Sequence, residues 1–128
     1  MTNFTRYWPA GVFADKDSVV VPILTAPVNL PVGNNRTVVL AVTGKKIKIL
    51  GWEAQSVAGT AGSLLLKDAS GGSTIIQTRF VPIATNGLVD RQPIFEGGYG
   101  ETTAGNGLYA DVATADINMT LYYIAYQP

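Results

Sequence analysis

Apolar residues along this chain recur at every second position rather than at the 3.6-residue spacing of a helix, and glycine or proline interrupts nearly every window of a dozen residues. The clearest stretch is 46–56, KIKILGWEAQS, where Lys46 and Lys48 alternate with Ile47 and Ile49. After Ile49 the alternation slips, and Leu50, Trp52 and Ala54 take the apolar parity; a bulge near Gly51 would return the strand to one buried face. At the end of the chain, 117–126 (INMTLYYIAY) keeps Ile117, Met119, Leu121, Tyr123 and Ala125 on one parity. Residues 63–68 and 74–80 flank Ala69-Ser70-Gly71-Gly72-Ser73, a hairpin signature in which glycine supplies positive φ.

Weaker patterns fill the rest. Residues 18–25 (SVVVPILT) read as a strand at a sheet edge or bulge, because Pro22 has no N–H for a ladder. Residues 29–36 (NLPVGNNR) read as turn chemistry, 37–43 as a strand, and Gly44-Lys45 as a tight turn into 46–56. A Thr85-Asn86-Gly87 turn precedes a strand over 88–95, and 107–112 is joined to the last strand by a short loop at 113–116. About eight strands at spacings near a dozen residues predict an all-β fold, a jelly-roll-like β-sandwich of antiparallel strands. Residues 1–15 (MTNFTRYWPAGVFAD) fit no such pattern and read as an extended N-terminal arm, leaving 16–128 as a single β-sandwich domain.

Composition narrows the chemistry. The 128 residues include no cysteine, which removes disulfides, thiolate zinc sites and a cysteine nucleophile, and no histidine, the commonest transition-metal ligand. Nine basic residues balance nine acidic ones, so the field that draws proteins to phosphate backbones or anionic membranes is missing, and neither nucleic acid nor membrane is expected as a partner. No apolar run approaches the roughly 20 residues of a membrane helix, and residues 1–10 lack the apolar core of a signal peptide, so synthesis in a host cytoplasm is expected. Charged residues are 14% of the chain, against about a quarter in a typical soluble domain, which points to a charge-poor surface suited to association with other subunits. Asn-x-Thr triplets at Asn3, Asn35 and Asn118 read as chance in a Thr-rich β protein.

A resemblance enters at Lys46. The order KIKILGW (46–52), a hairpin, the loop Gly100-Glu101-Thr102-Thr103-Ala104-Gly105-Asn106-Gly107-Leu108, and a closing strand ending LYYIAY resembles a family of small phage virion structural proteins, over roughly residues 46–126. The loop is the most specific piece. What the resemblance implies is a jelly-roll-like sandwich serving as a capsid decoration (cement) protein or related head or tail component, often a trimer, with the major capsid protein or other virion subunits as partners and the virion as its location.

Other motifs weigh little. Glu96 and Glu101 could pair as glycosidase carboxylates, but five residues of separation in a Gly-rich loop fix no geometry, and solvated loop charges are the simpler reading. Asp15-Lys16-Asp17 opens like a calcium loop yet runs into Val19, Val20 and Val21 where oxygen ligands would be needed, so no metal is expected. Gly97-Gly98-Tyr99-Gly100 and Gly105-Asn106-Gly107 have no strand-to-helix context for phosphate and read as turns. Lys45, Lys46 and Lys48 read as the solvated face of an apolar strand. No catalytic residue and no cofactor is expected. Tyr109, Tyr122, Tyr123 and Tyr126 read as core packing with hydroxyls at the edge.

The arm's aromatics, Phe4, Tyr7, Trp8 and Phe13, are the expected protein-interface residues, since large rings outside a core either fold back on the domain or anchor in a neighbouring subunit. The expectation is therefore a non-enzymatic virion structural protein. A carbohydrate- or receptor-binding tail or baseplate component on the same fold is the alternative.

Overall fold

A computed structural model describes residues 6–8, 12–17, 19–57 and 59–128. The chain is all-β: among the described residues, twelve strands and one 3-10 turn (Ala84–Asn86) form three antiparallel sheets. The first sheet is a small ribbon of β1 (Arg6–Trp8), β2 (Val12–Ala14) and β3 (Val20–Val21), in that order. The second orders β4 (Leu24–Leu30), β12 (Ile117–Tyr126) and β6 (Lys46–Ser56), with β6 closed on its far side by two short strands, β9 (Asp90–Gln92) and β10 (Gly100–Glu101). The third orders β5 (Gly33–Val39), β11 (Leu108–Ala113), β7 (Gly62–Asp68) and β8 (Thr74–Val81).

One core is shared by the second and third sheets. Ile47, Ile49, Trp52, Ile117, Met119 and Leu121 from one meet Val38, Leu64, Leu66, Val81, Leu108 and Val112 from the other, an arrangement consistent with a β-sandwich. Alternation along each strand selects these side chains: β11 buries every second residue from Leu108 to Val112, and β7 buries Leu64 and Leu66.

The expected slip in 46–56 is a bulge. Tyr122 pairs with Gly51 but Tyr123 with Ile49, so Leu50 is the extra residue of β6. Ile47, Ile49, Trp52 and Ala54 thereby share the inner face, while Leu50 faces the other way and joins a second cluster with Phe13, Val21, Ile124 and Tyr126. A β-carbon at residue 51 would lie 2.7 Å from the Gln92 carbonyl oxygen, so only glycine admits the close approach of the 92–94 backbone. The single parity expected for 117–126 faces the main core at Ile117, Met119, Leu121 and Tyr123, but the opposite parity is not left to solvent: Ile124 and Tyr126 are buried on the outer side.

That outer burial explains the N-terminus. The stretch read as an extended arm is strand in its described parts, with Tyr7 opposite Phe13 and Phe13 opposite Val21. Phe13 and Val21 cover the outer face of β6 and β12 at Leu50 and Ile124, and burying a ring such as Phe13 contributes roughly 1.5–3 kcal/mol.

Other boundaries moved for local reasons. The strand expected over 18–25 is divided at Pro22, which lies between β3 and β4; β4 is an edge strand that carries Pro27 without losing ladder bonds to a second neighbour. The turn expected over 29–36 shrinks to Pro31 and Val32, and Gly33-Asn34-Asn35-Arg36 is strand, made irregular by Asn35 at φ 57 and by register shifts against β11. The strand expected over 37–43 ends at Val39, and that over 88–95 shortens to three residues. Counting β9 and β10, the strands outnumber the eight expected, because pairs of two or three residues leave no alternation to read.

Candidate functional site

The loop 100–108 is held by contacts to both sheets. The Thr102 amide donates to the Ile47 carbonyl (2.9 Å) and its hydroxyl accepts from the Ile47 amide (2.9 Å), tying it to β6. On the other side the Asp68 carboxylate of β7 accepts from the Thr103 amide (3.1 Å), the Thr103 hydroxyl (2.6 Å) and the Asn106 side-chain amide (3.0 Å). Burial of Asp68 opposes its ionisation, but these three donors outweigh it and its carboxyl lies below the usual range. Gly107 has no room for a β-carbon, which would sit 2.8 Å from the Val39 carbonyl oxygen. The most specific motif of the sequence is therefore a fold-closing bridge.

Beside it lies a cleft of about 490 Å³ lined by Lys48, Gly97, Gly98, Tyr99, Gly100, Glu101 and Tyr126. Glu101 accepts from the Tyr126 hydroxyl (2.6 Å) and from Lys46 Nζ (3.0 Å). Burial raises its pKa, yet the hydrogen bonds from Tyr126 and Lys46, with the charges of Lys46 and Lys48, bring the net shift downward. Burial, then the bond to Glu101 and its charge, push the Tyr126 phenol well above its ordinary value. Glu96 is exposed and does not line this cleft, so the two carboxylates weighed together in the sequence are not brought together in it. Gly98 leaves space for the Lys48 stem, which a β-carbon there would meet at 2.8 Å.

A second polar cluster fastens the two large sheets. Arg79 of β8 grips Asp90 of β9 through Nη2–Oδ1 (2.6 Å) and Nε–Oδ2 (2.8 Å), and the Trp52 indole N–H donates to the same carboxylate at 3.2 Å. The guanidinium also lies 5.2 Å from the Trp52 ring centroid. Asp90 is almost fully buried, so this is a clamp and not an open site.

Of the expected interface residues, Phe4 lies outside the described residues, and the side chains of Tyr7 and Trp8 do too, although their backbone forms β1. Phe13 is 1% exposed, folded onto its own domain. Asp15 uses Oδ1 to accept from the amides of Asp17 (2.9 Å) and Val19 (3.1 Å), capping a turn, and Asp17 pairs with Lys16. Among the described residues no three acidic, histidine or cysteine side chains gather as metal ligands. Tyr123 packs on the main core and Tyr122 on the second cluster, as their strand positions suggested.

Sequence reasoning missed two surfaces. Large apolar side chains stand in solvent: Leu40 is 73% exposed, Phe80 72%, Val20 65% and Leu88 60%. On the outer face of the second sheet, Asn29, Asn118 and Gln55 lie in one register row, with Pro27, Thr120 and Glu53 in the next, lining a groove of about 370 Å³ bounded by Val89. Each of these residues is unremarkable in sequence, and only the register brings them side by side. Compared with known proteins, the chain matches no family model and no curated sequence.

Proposed function

We propose that this protein is a non-enzymatic virion structural protein, a capsid decoration protein on a jelly roll that binds and stabilises the assembled head shell as a homo-oligomer, a trimer being favoured. The observation that carries the reading is the set of large apolar side chains left in solvent on a domain with 14% charged residues: Leu40, Phe80, Leu88 and Val20. Exposed apolar side chains that gather into one patch mark a surface that a protein partner covers. The jelly roll is supported by nested pairing. Counting β9 and β10 as one, the chain from β4 onward pairs first with last (β4 and β12), second with seventh (β5 and β11), third with sixth (β6 with β9 and β10) and fourth with fifth (β7 and β8). A long antiparallel ribbon rolled once gives this nesting, with β12 against β6 and β11 against β7 as the seams.

A protein that binds only the assembled lattice stabilises it by RT ln(1 + [L]/Kd), and a closed oligomer spanning several shell subunits adds avidity. The test is co-sedimentation of purified protein with capsids lacking it, together with its solution mass by light scattering. Saturable binding at a fixed ratio to lattice sites by an oligomeric protein is expected. Aspartate introduced singly at Val20, Leu40, Phe80 and Leu88 weakens it at least tenfold, about 1.4 kcal/mol, at one or more positions. A monomer that stays in the supernatant at saturating capsid concentrations refutes the reading.

A further inference from the structure

We propose that the open half of the outer face of β4, β12 and β6 is a binding groove for a neutral saccharide. Among the described residues, the N-terminal ribbon meets this face at Leu50, Tyr122, Ile124 and Tyr126, and the part bearing Asn29, Asn118, Gln55, Thr120 and Glu53 forms the floor of the groove. Register puts Asn118 opposite Asn29 on one side and Gln55 on the other, so three amides cross the strands in a row about 4.8 Å apart, close to the repeat of a pyranose chain. Each amide offers a donor pair and an acceptor, the combination that vicinal hydroxyls require.

Two of the groups are oriented in advance. Gln55 Nε2 donates to the Leu88 carbonyl at 2.7 Å, which aims its oxygen, and Glu53 accepts from Arg91 Nη2 at 2.7 Å, which steadies its carboxylate and cancels its charge. Pro27 and Val89 supply apolar walls for the C–H faces of a sugar ring. At about 370 Å³ the groove is at the small end of ligand sites, suited to one or two rings. With its one carboxylate paired, the lining has no charge to select an anion or a cation, which is why the ligand is a neutral polyhydroxyl chain. This goes beyond the decoration reading and does not depend on it.

The experiment is a titration of the 15N-labelled protein with maltose, cellobiose and lactose, each into the tens of millimolar, following the side-chain NH2 signals of Asn29, Gln55 and Asn118 by NMR. Saturable shifts centred on these amides are expected with at least one disaccharide. Asn118 is exposed, so Asn118→Ala keeps the backbone spectrum while weakening that binding at least tenfold, and Gln55→Ala does the same. Absence of saturable shifts with all three sugars, or binding that survives both substitutions, overturns the proposal. If Asn118→Ala abolishes capsid co-sedimentation but leaves sugar binding intact, the face belongs to the shell contact and the saccharide site is refuted while the decoration reading stands.

Discussion

Removing either partner of the Arg79–Asp90 clamp should cost about as much as removing both. The carboxylate of Asp90 is 8% exposed and takes three donors, two from Arg79 and one from the Trp52 indole. Asp90→Leu strands the indole N–H, for which an unsatisfied buried donor costs about 1–3 kcal/mol, and leaves the guanidinium without its partner. Breaking a buried ion pair from one side costs about 3–5 kcal/mol, but the Arg79 side chain is 32% exposed and can rehydrate, which lowers the expectation to about 3 kcal/mol. Arg79→Met leaves a nearly buried carboxylate with one donor, again about 3 kcal/mol. In the double variant the charge has gone from both sides and only the indole and the lost packing remain, so the total stays near 3 kcal/mol and the coupling is of similar size. Urea denaturation at pH 7 reads this directly: with a slope of roughly 1.5–2 kcal/mol/M, each variant's midpoint falls by about 1.5–2 M. Additive singles, or a single that costs under about 1 kcal/mol, would show that the two sheets are not fastened by this cluster.

Three further outcomes rest on Glu101 and on the backbone around Gly51. The lowered pKa of Glu101 means that its contribution is present above the ordinary glutamate value, about 4.3, and is lost as pH falls through the folded-state value. Urea midpoints should therefore drop on acidification below about pH 4.5, less steeply in Glu101→Gln. That variant should also let the Tyr126 phenol ionise earlier in an alkaline absorbance titration, since Glu101 holds its pKa up; an unchanged phenol would refute the link. Gly51→Ala drives a β-carbon to 2.7 Å from the Gln92 carbonyl oxygen and should cost about 1–3 kcal/mol by urea denaturation, whereas Gly59→Ala meets nothing within 4 Å and should stay within about 0.5 kcal/mol. Equal effects at the two glycines would refute the close approach at residue 51.

The all-β class and the strongest strands were legible because alternation is a local property. Residues 46–56 and 117–126 were bounded as the structure bounds them, and the bulge was placed to within one residue, because eleven and ten residues carry enough period-two signal to show a slip. The short strands were not legible. β9 and β10 exist because loops returning past β6 meet its free edge, which no window of three residues reports. Phe13 was hard to place for a related reason: it answers to Leu50 and Ile124, which are far away in sequence, and Leu50 lies on the face opposite to the one that alternation gave it.

Composition and alternation by themselves determined a single-class β protein, poor in charge and without thiol or imidazole chemistry. Only the tertiary structure decided which face of β6 and β12 is buried along each half, how Asp68 and Thr102 make the Gly-rich loop a bridge between sheets, that Asp90 meets Arg79 and Trp52, and that three amides from three strands line one groove. The physical reason is that strand pairing is non-local. Side-chain direction is set within a strand by its own pleat, but neighbours across strands are set by register, which hydrogen bonds between distant segments fix only when the whole core closes.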